Sequence, residues 1–211
     1  CLAIVTSCSL FKNTENTSKK GDSVSTTDEQ NDYRSSYTRL FDLLHTKLEV
    51  SFLQDKQQLE GVANLTLSPY FYSTDSLTID AKGMTLNEVS LVDTNGARKK
   101  LSYSYDSLKI KIALGKEYTR TDTMQLYINY VAKPNELGSK GSTAIEDDRG
   151  LYFINPLGRN KLKPIQIWTQ GETEASSCWF PTIDAPNEKT TEEIYITYDS
   201  QFKTLSNGKK V

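Results

Sequence analysis

An all-β fold, either a β-sandwich or a partly open β-barrel, follows from three features of this 211-residue sequence. Short stretches of period-two hydrophobicity recur along it, turn-forming residues separate them, and no long amphipathic helical pattern interrupts them. The cleanest alternation is Leu108, Ile110, Ile112 and Leu114, with Lys109, Lys111 and Ala113 between them. Such a stretch is a strand with one wet face.

The chain opens on Cys-Leu-Ala-Ile-Val-Thr-Ser-Cys, Cys1 to Cys8, with no initiating Met. It reads as the end of an apolar secretory-signal segment closing on small residues. Val5-Thr6-Ser7-Cys8 resembles a bacterial lipobox, which makes Cys8 the expected lipidation site; the alternative is an ordinary buried strand with two incidental cysteines. The region from Ser9 to about Asp32 is almost wholly Ser, Thr, Asn, Lys, Asp and Glu. It is too polar to offset its own ordering entropy, so residues 9–36 are expected to form a flexible tether. Several acyl chains on one cysteine hold a protein to a bilayer where a single chain does so only marginally. With Cys1 removed and Cys8 lipidated, Cys178 would be the remaining thiol, and no disulfide framework is expected.

The folded part is expected over residues 37–211. Tyr37 to Leu44 fits a helical turn or an extended lead-in. Leu48, Val50 and Phe52 alternate as a strand, and a polar turn over Gln54 to Gln58 leads to a second strand through Leu59, Val62, Leu65 and Leu67. Further strands are predicted at Ser76 to Ala81, Glu88 to Asp93, Lys100 to Tyr105, Ser107 to Leu114 and Met124 to Val131. Asn95-Gly96 marks a turn, because both residues tolerate positive φ. Pro134 to Arg149 reads as a long surface loop, and Gly150 to Pro156 resumes a strand.

Charge and composition exclude several functions. With 25 basic and 27 acidic side chains the formal net charge is -2, which gives no clustered pull on phosphates and argues against a nucleic-acid partner. No run of about 20 apolar residues supplies a membrane-spanning helix. The single histidine, His45, excludes an H-E-x-x-H zinc site built by this chain alone, since that motif needs two histidines one helical turn apart. His45 itself fits a structural role. The twelve tyrosines could offer a stacking face at Tyr103, Tyr105, Tyr127 and Tyr130, but the plainer reading is structural, since half-buried strand positions suit tyrosine.

The stretch with the most chemistry is Ile165-Gln166-Ile167-Trp168-Thr169-Gln170-Gly171-Glu172, followed by Trp179-Phe180-Pro181. A strand runs into a loop that sets an amide and a carboxylate either side of a glycine, where the backbone can turn sharply and a ligand can approach. The aromatic and proline residues behind it would hold that loop rigid. Gln170, Gly171 and Glu172 are the candidate substrate-binding residues, and the chemistry fits an ammonium group; a solvated strand-end carboxylate is the plainer reading of Glu172.

Trp168-Thr169-Gln170-Gly171-Glu172, Trp179-Phe180-Pro181 and Asp184-x-Pro186-Asn187-x-Lys189 together resemble the end of the N-terminal β-domain of aminopeptidase N family zinc aminopeptidases. Asp42 to Val50 is similar to that domain's first strand, and Phe202 to Lys209 to its last hairpin, with the turn at Asn207-Gly208. The resemblance implies a saddle-shaped antiparallel β-sandwich over residues 37–211. It also implies that Glu172 binds the α-ammonium of peptide substrates with free N-termini, with Gln170 lining the adjoining pocket. An internal peptide lacking that charge would leave the carboxylate unpaired, which selects chain ends.

Two departures are visible. Glu174-Ala175-Ser176-Ser177 replaces an Asp-Ala-Arg-type sequence, so the loop must be steadied by something other than that arginine, and Thr182 stands where a cysteine is common. The Gly-x-Met-Glu-Asn and H-E-x-x-H signatures do not occur. The resemblance therefore implies an N-terminal piece of a longer enzyme whose zinc sits in its own C-terminal catalytic domain; the lipobox-like start at Cys8 makes that enzyme an expected exported, membrane-anchored bacterial lipoprotein. This chain alone is expected to hold no metal or catalytic residue and to be inactive. The alternative is a non-enzymatic β-sandwich lipoprotein that binds a glycan or a partner protein through its tyrosines.

Overall fold

The computed structural model describes residues 37–138 and 148–211. The expected lipobox with Cys8, the tether over 9–36 and the centre of the 134–149 loop lie outside the described residues.

Strands β1 (Phe41–Leu53) and β2 (Gln58–Pro69) form the first hairpin. The lead-in before Leu48 is strand, not helix. A bulge between Leu43 and His45 shifts the register, so Leu43 and Thr46 both face inward while Leu44 points to solvent. One extra residue in a strand breaks the period-two pattern at that point, which is why alternation begins to be readable only at Leu48. On β2, Leu59, Leu65 and Leu67 are buried as expected. Val62 is not; Gly61 and Ala63 take the inward positions beside it.

The next segments are β3 (Thr74–Asp80), β4 (Met84–Val92), β5 (Arg98–Lys100), β6 (Ser102–Tyr105), β7 (Lys109–Tyr118) and β8 (Met124–Ala132). The Asn95-Gly96 turn joins β4 to β5. Gly96 has φ +80°, and the Asp93 carboxylate accepts the N–H groups of Asn95 at 2.9 Å and Ala97 at 2.8 Å. The expected single strand from Lys100 to Tyr105 is two strands in two different sheets. The Leu101 N–H donates to the Val89 carbonyl at 3.0 Å, and β6 leaves from there to pair with β7. Leu108 precedes β7 and is exposed, whereas Ile110, Ile112 and Leu114 are buried as their alternation requires.

Beyond the loop come β9 (Leu151–Ile154), β10 (Gln166–Thr169) and β11 (Thr191–Thr197). The large sheet runs β11-β1-β2-β8-β4-β5, the small one β3-β7-β6, and β9 pairs with β10 separately. Pairing is antiparallel except between β1 and β11. Leu43, Leu48, Leu65 and Ile128 of the large sheet share one buried cluster with Leu77, Ile79, Ile110 and Ile112 of the small one. Two sheets closed over one apolar layer make the expected β-sandwich. No strand follows Thr197 among the described residues, so Asn207-Gly208 does not close a hairpin here. Such a turn forms only where both flanks find pairing partners, and neither does.

Candidate functional site

The β9–β10 pair delivers the candidate loop. Trp168 stacks on Tyr152 across the two strands, with ring centroids 4.6 Å apart. Immediately after β10 the Gln170 N–H donates to the Gly150 carbonyl at 2.9 Å. The chain then turns: the Ala175 N–H returns to the Gly171 carbonyl at 3.0 Å, and a short 3-10 turn, Ser176–Cys178, follows. Gly150 is required beneath this turn. Its φ is +70°, and a Cβ there would stand 2.0 Å from the Ala175 carbonyl oxygen.

The three candidate residues sit on this single turn. Gln170 is half-buried, while Gly171 and Glu172 are exposed. The Glu172 carboxylate has no hydrogen-bond or ionic partner among the described residues and points to solvent, where an incoming cation could meet it.

One residue distant in sequence and one just downstream hold the turn. Lys82, in the β3–β4 connection, donates its ammonium to the Glu174 carbonyl and its backbone N–H to the Ser177 carbonyl at 2.7 Å. Lys82 thus supplies a cation beside a loop that lacks the arginine its resemblance called for. The Asp184 carboxylate accepts the Ser177 N–H at 2.7 Å. Burial pushes the Asp184 carboxyl above its ordinary value, against the pull of that N–H. Behind the turn, Trp179 and Phe180 meet edge to face at 4.4 Å, and Phe180 is buried in the core. Cys178 is buried, its thiol pushed up to about 11 by burial, so it stays protonated and structural.

Sequence reasoning passed over Lys82 and Asp80, and also Glu188. The Glu188 carboxylate accepts from Arg39 at 2.8 and 3.0 Å and from the Leu43 N–H at 2.8 Å, which pins β1 beside its bulge. The only available signal was the charge itself, and most charged residues in such positions are solvated. His45 is structural: its Nδ1 lies 2.8 Å from the Thr191 hydroxyl and ties β1 to β11.

The strand that carries the turn also lines a groove of about 490 Å³ with Phe52, Trp179, Ile194 and Ile196 on its walls. Both faces of β11 are exposed, and Ile194 and Ile196 remain more than a third accessible. The four tyrosines weighed as a contact face do not share one. Tyr127 and Tyr130 lie on opposite faces of β8, and Tyr130 is fully buried. Tyr105 is occupied within the fold, donating to the Ala81 carbonyl and accepting the Met84 N–H, each at 2.8 Å.

The family model of the peptidase M1 N-terminal domain matches residues 24–211. The chain belongs to that family. This M1 N-terminal domain is similar to a two-domain M1 zinc metallopeptidase mutant solved with L-tryptophan, at 16% identity and a TM-score of 0.60, over 78% of this chain and 34% of that one. It is similar to the M1 zinc metallopeptidase from Deinococcus radiodurans at 17% identity and a TM-score of 0.57, over 78% and 34% of the two chains. Native yeast LTA4 hydrolase aligns at 19% identity and a TM-score of 0.57, over 76% of this chain and 23% of that one. At these identities the likeness is one of fold, and the M1 N-terminal domain spans about a third or less of the solved chains it matches. Curated proteins give no match.

Zinc names the two metallopeptidases, but the described residues of this chain do not fit it. Among them no three His, Cys, Asp or Glu side chains converge, and His45 is engaged with Thr191.

Proposed function

We propose that this domain serves an exported, lipid-anchored zinc aminopeptidase as its substrate-recognition piece, with Glu172 receiving the α-ammonium of peptides that have free N-termini. The observation that carries the reading is the Glu172 turn. An outward-facing carboxylate with no partner among the described residues sits on a backbone fastened at both ends, in a chain of the M1 N-terminal family. A carboxylate and an ammonium make a charge-assisted hydrogen bond, and a fixed backbone lowers the entropy lost when it forms.

On this reading zinc and the catalytic residues belong to a catalytic domain of the same protein, and Gln170 lines the neighbouring pocket. The apolar groove beside β11 is where that domain or its connection packs. Support comes from its exposed isoleucines and from relatives three to four times the length of the aligned region. The four tyrosines, scattered over separate faces, give no comparable support to a glycan-binding lipoprotein.

In the full-length enzyme, Glu172→Ala should lower kcat/KM for aminoacyl-anilides about 10- to 100-fold, the loss of one hydrogen bond to a charged group, with zinc content unchanged. Unaltered turnover would refute the role given to Glu172; lost zinc would refute the separation of recognition from the metal.

A further inference from the structure

We propose that Asp184 is the positioning residue of the Glu172 turn, acting through the backbone of Ser177 to set where the substrate ammonium is received. The proposal rests on the role of Glu172 given above.

The first N–H groups of any helical turn lack partners, and a side-chain oxygen at the N-cap ordinarily takes one. Here Ala175 occupies the N-cap of the Ser176–Cys178 turn and has no such oxygen. The Ser177 N–H is satisfied instead by Asp184 Oδ2 at 2.7 Å. Ser177 and Ala175 are fully buried, so without Asp184 that N–H would lose its partner out of reach of bulk water.

Asp184 is itself held. Its N–H donates to Asp80 Oδ2 at 3.0 Å, and Asp80 Oδ1 pairs with Lys109 Nζ at 3.0 Å. The backbones of Asp80 and Thr182 exchange two hydrogen bonds, at 2.8 and 3.0 Å. Asp80 closes β3, whose Leu77 and Ile79 lie in the core. The Gly171 to Glu174 stretch therefore hangs between two fastenings. At one end the Gln170 N–H meets the Gly150 carbonyl; at the other Ser177 is clamped between Asp184 and the Lys82 backbone. The Lys82 ammonium also holds the Glu174 carbonyl; of these two side chains Asp184 is the one that meets the buried Ser177 N–H, and it can be exchanged without touching the apolar layer. A displacement of the order of 1 Å at a substrate-positioning group is enough to cost catalysis severely.

The test is a double-mutant cycle in the full-length enzyme, with kcat and KM measured on an aminoacyl-anilide. Asp184→Ala should raise KM about tenfold with a smaller change in kcat, the scale of one lost hydrogen bond. Asp184→Asn keeps an oxygen for the Ser177 N–H and should stay within about twofold of the parent, well short of one lost hydrogen bond. In the Glu172→Ala background, Asp184→Ala should have no further effect on KM, because no carboxylate remains to be positioned. A merely structural Asp184 would add the same factor in both backgrounds, and that additivity overturns the proposal, as does parental KM in Asp184→Ala. If Glu172→Ala is itself silent, the recognition role falls and takes the positioning role with it, an outcome distinct from additivity on an impaired Glu172→Ala. Should Asp184→Ala not fold, Asp184→Glu, which keeps the charge and shifts the oxygen, completes the same cycle with the same outcomes.

Discussion

Tyr130 and Gly61 show how much one pair of residues decides. They face each other across β2 and β8, and a Cβ on Gly61 would lie 2.5 Å from the Tyr130 ring and from its hydroxyl oxygen. The ring covers the glycine, a device that compensates for a residue with no side chain to pack. The Tyr130 hydroxyl is buried with no hydrogen-bond partner among the described residues, and burial keeps it protonated. Tyr130→Phe should therefore raise stability by about 1 kcal/mol in urea unfolding, since an unpaired polar group leaves the core. Gly61→Ala should lower it by about 1–3 kcal/mol through overpacking. A destabilised Tyr130→Phe would mean that the hydroxyl has a partner after all. Tyr130 read as a half-buried strand tyrosine in the sequence; that its ring fills the space above a glycine required the register.

At the scale of elements, β11 is an exposed, apolar edge of the large sheet. Its parallel register sets Ile194 beside Leu48 and Ile196 beside Val50, positions that are buried on β1 and partly open on β11. An apolar edge of this kind invites a partner. Ile194→Lys should destabilise the full-length protein by about 1–3 kcal/mol yet change the isolated chain by no more than about 0.5 kcal/mol, as surface substitutions do. Equal melting shifts in the two would sink the idea that the groove is covered by the rest of the protein. The alternation of Ile194 and Ile196 around Tyr195 was a readable strand signal that the neighbouring Thr and Glu residues diluted. The crossing at Leu101 was not readable at all. A continuous polar and aromatic run carries no mark of the point where its hydrogen bonds pass from one sheet to another.

At the scale of the whole molecule, the domain is one piece of a proposed anchored enzyme. Intact-mass analysis of membrane-extracted protein should find Cys8 as the acylated first residue, with several chains, because one chain holds only marginally. A soluble protein with an unmodified N-terminus would reject the anchor.

The sequence by itself determined the all-β class, through the alternation at Ile110, Ile112 and Leu114, and it placed Gln170, Gly171 and Glu172 on one loop simply because they are consecutive. Its single histidine also settled that a two-histidine zinc motif is not made here. Only the tertiary structure decided what holds that loop. Lys82 and Asp80 come from the distant end of β3, Lys82 onto the turn itself and Asp80 onto Asp184 just downstream of it, and a lysine or aspartate looks the same in sequence whether it is solvated or buried against a backbone N–H. Periodicity records which face of a strand is dry, because burial repeats along the chain; a hydrogen bond between distant segments repeats nowhere and leaves no such trace.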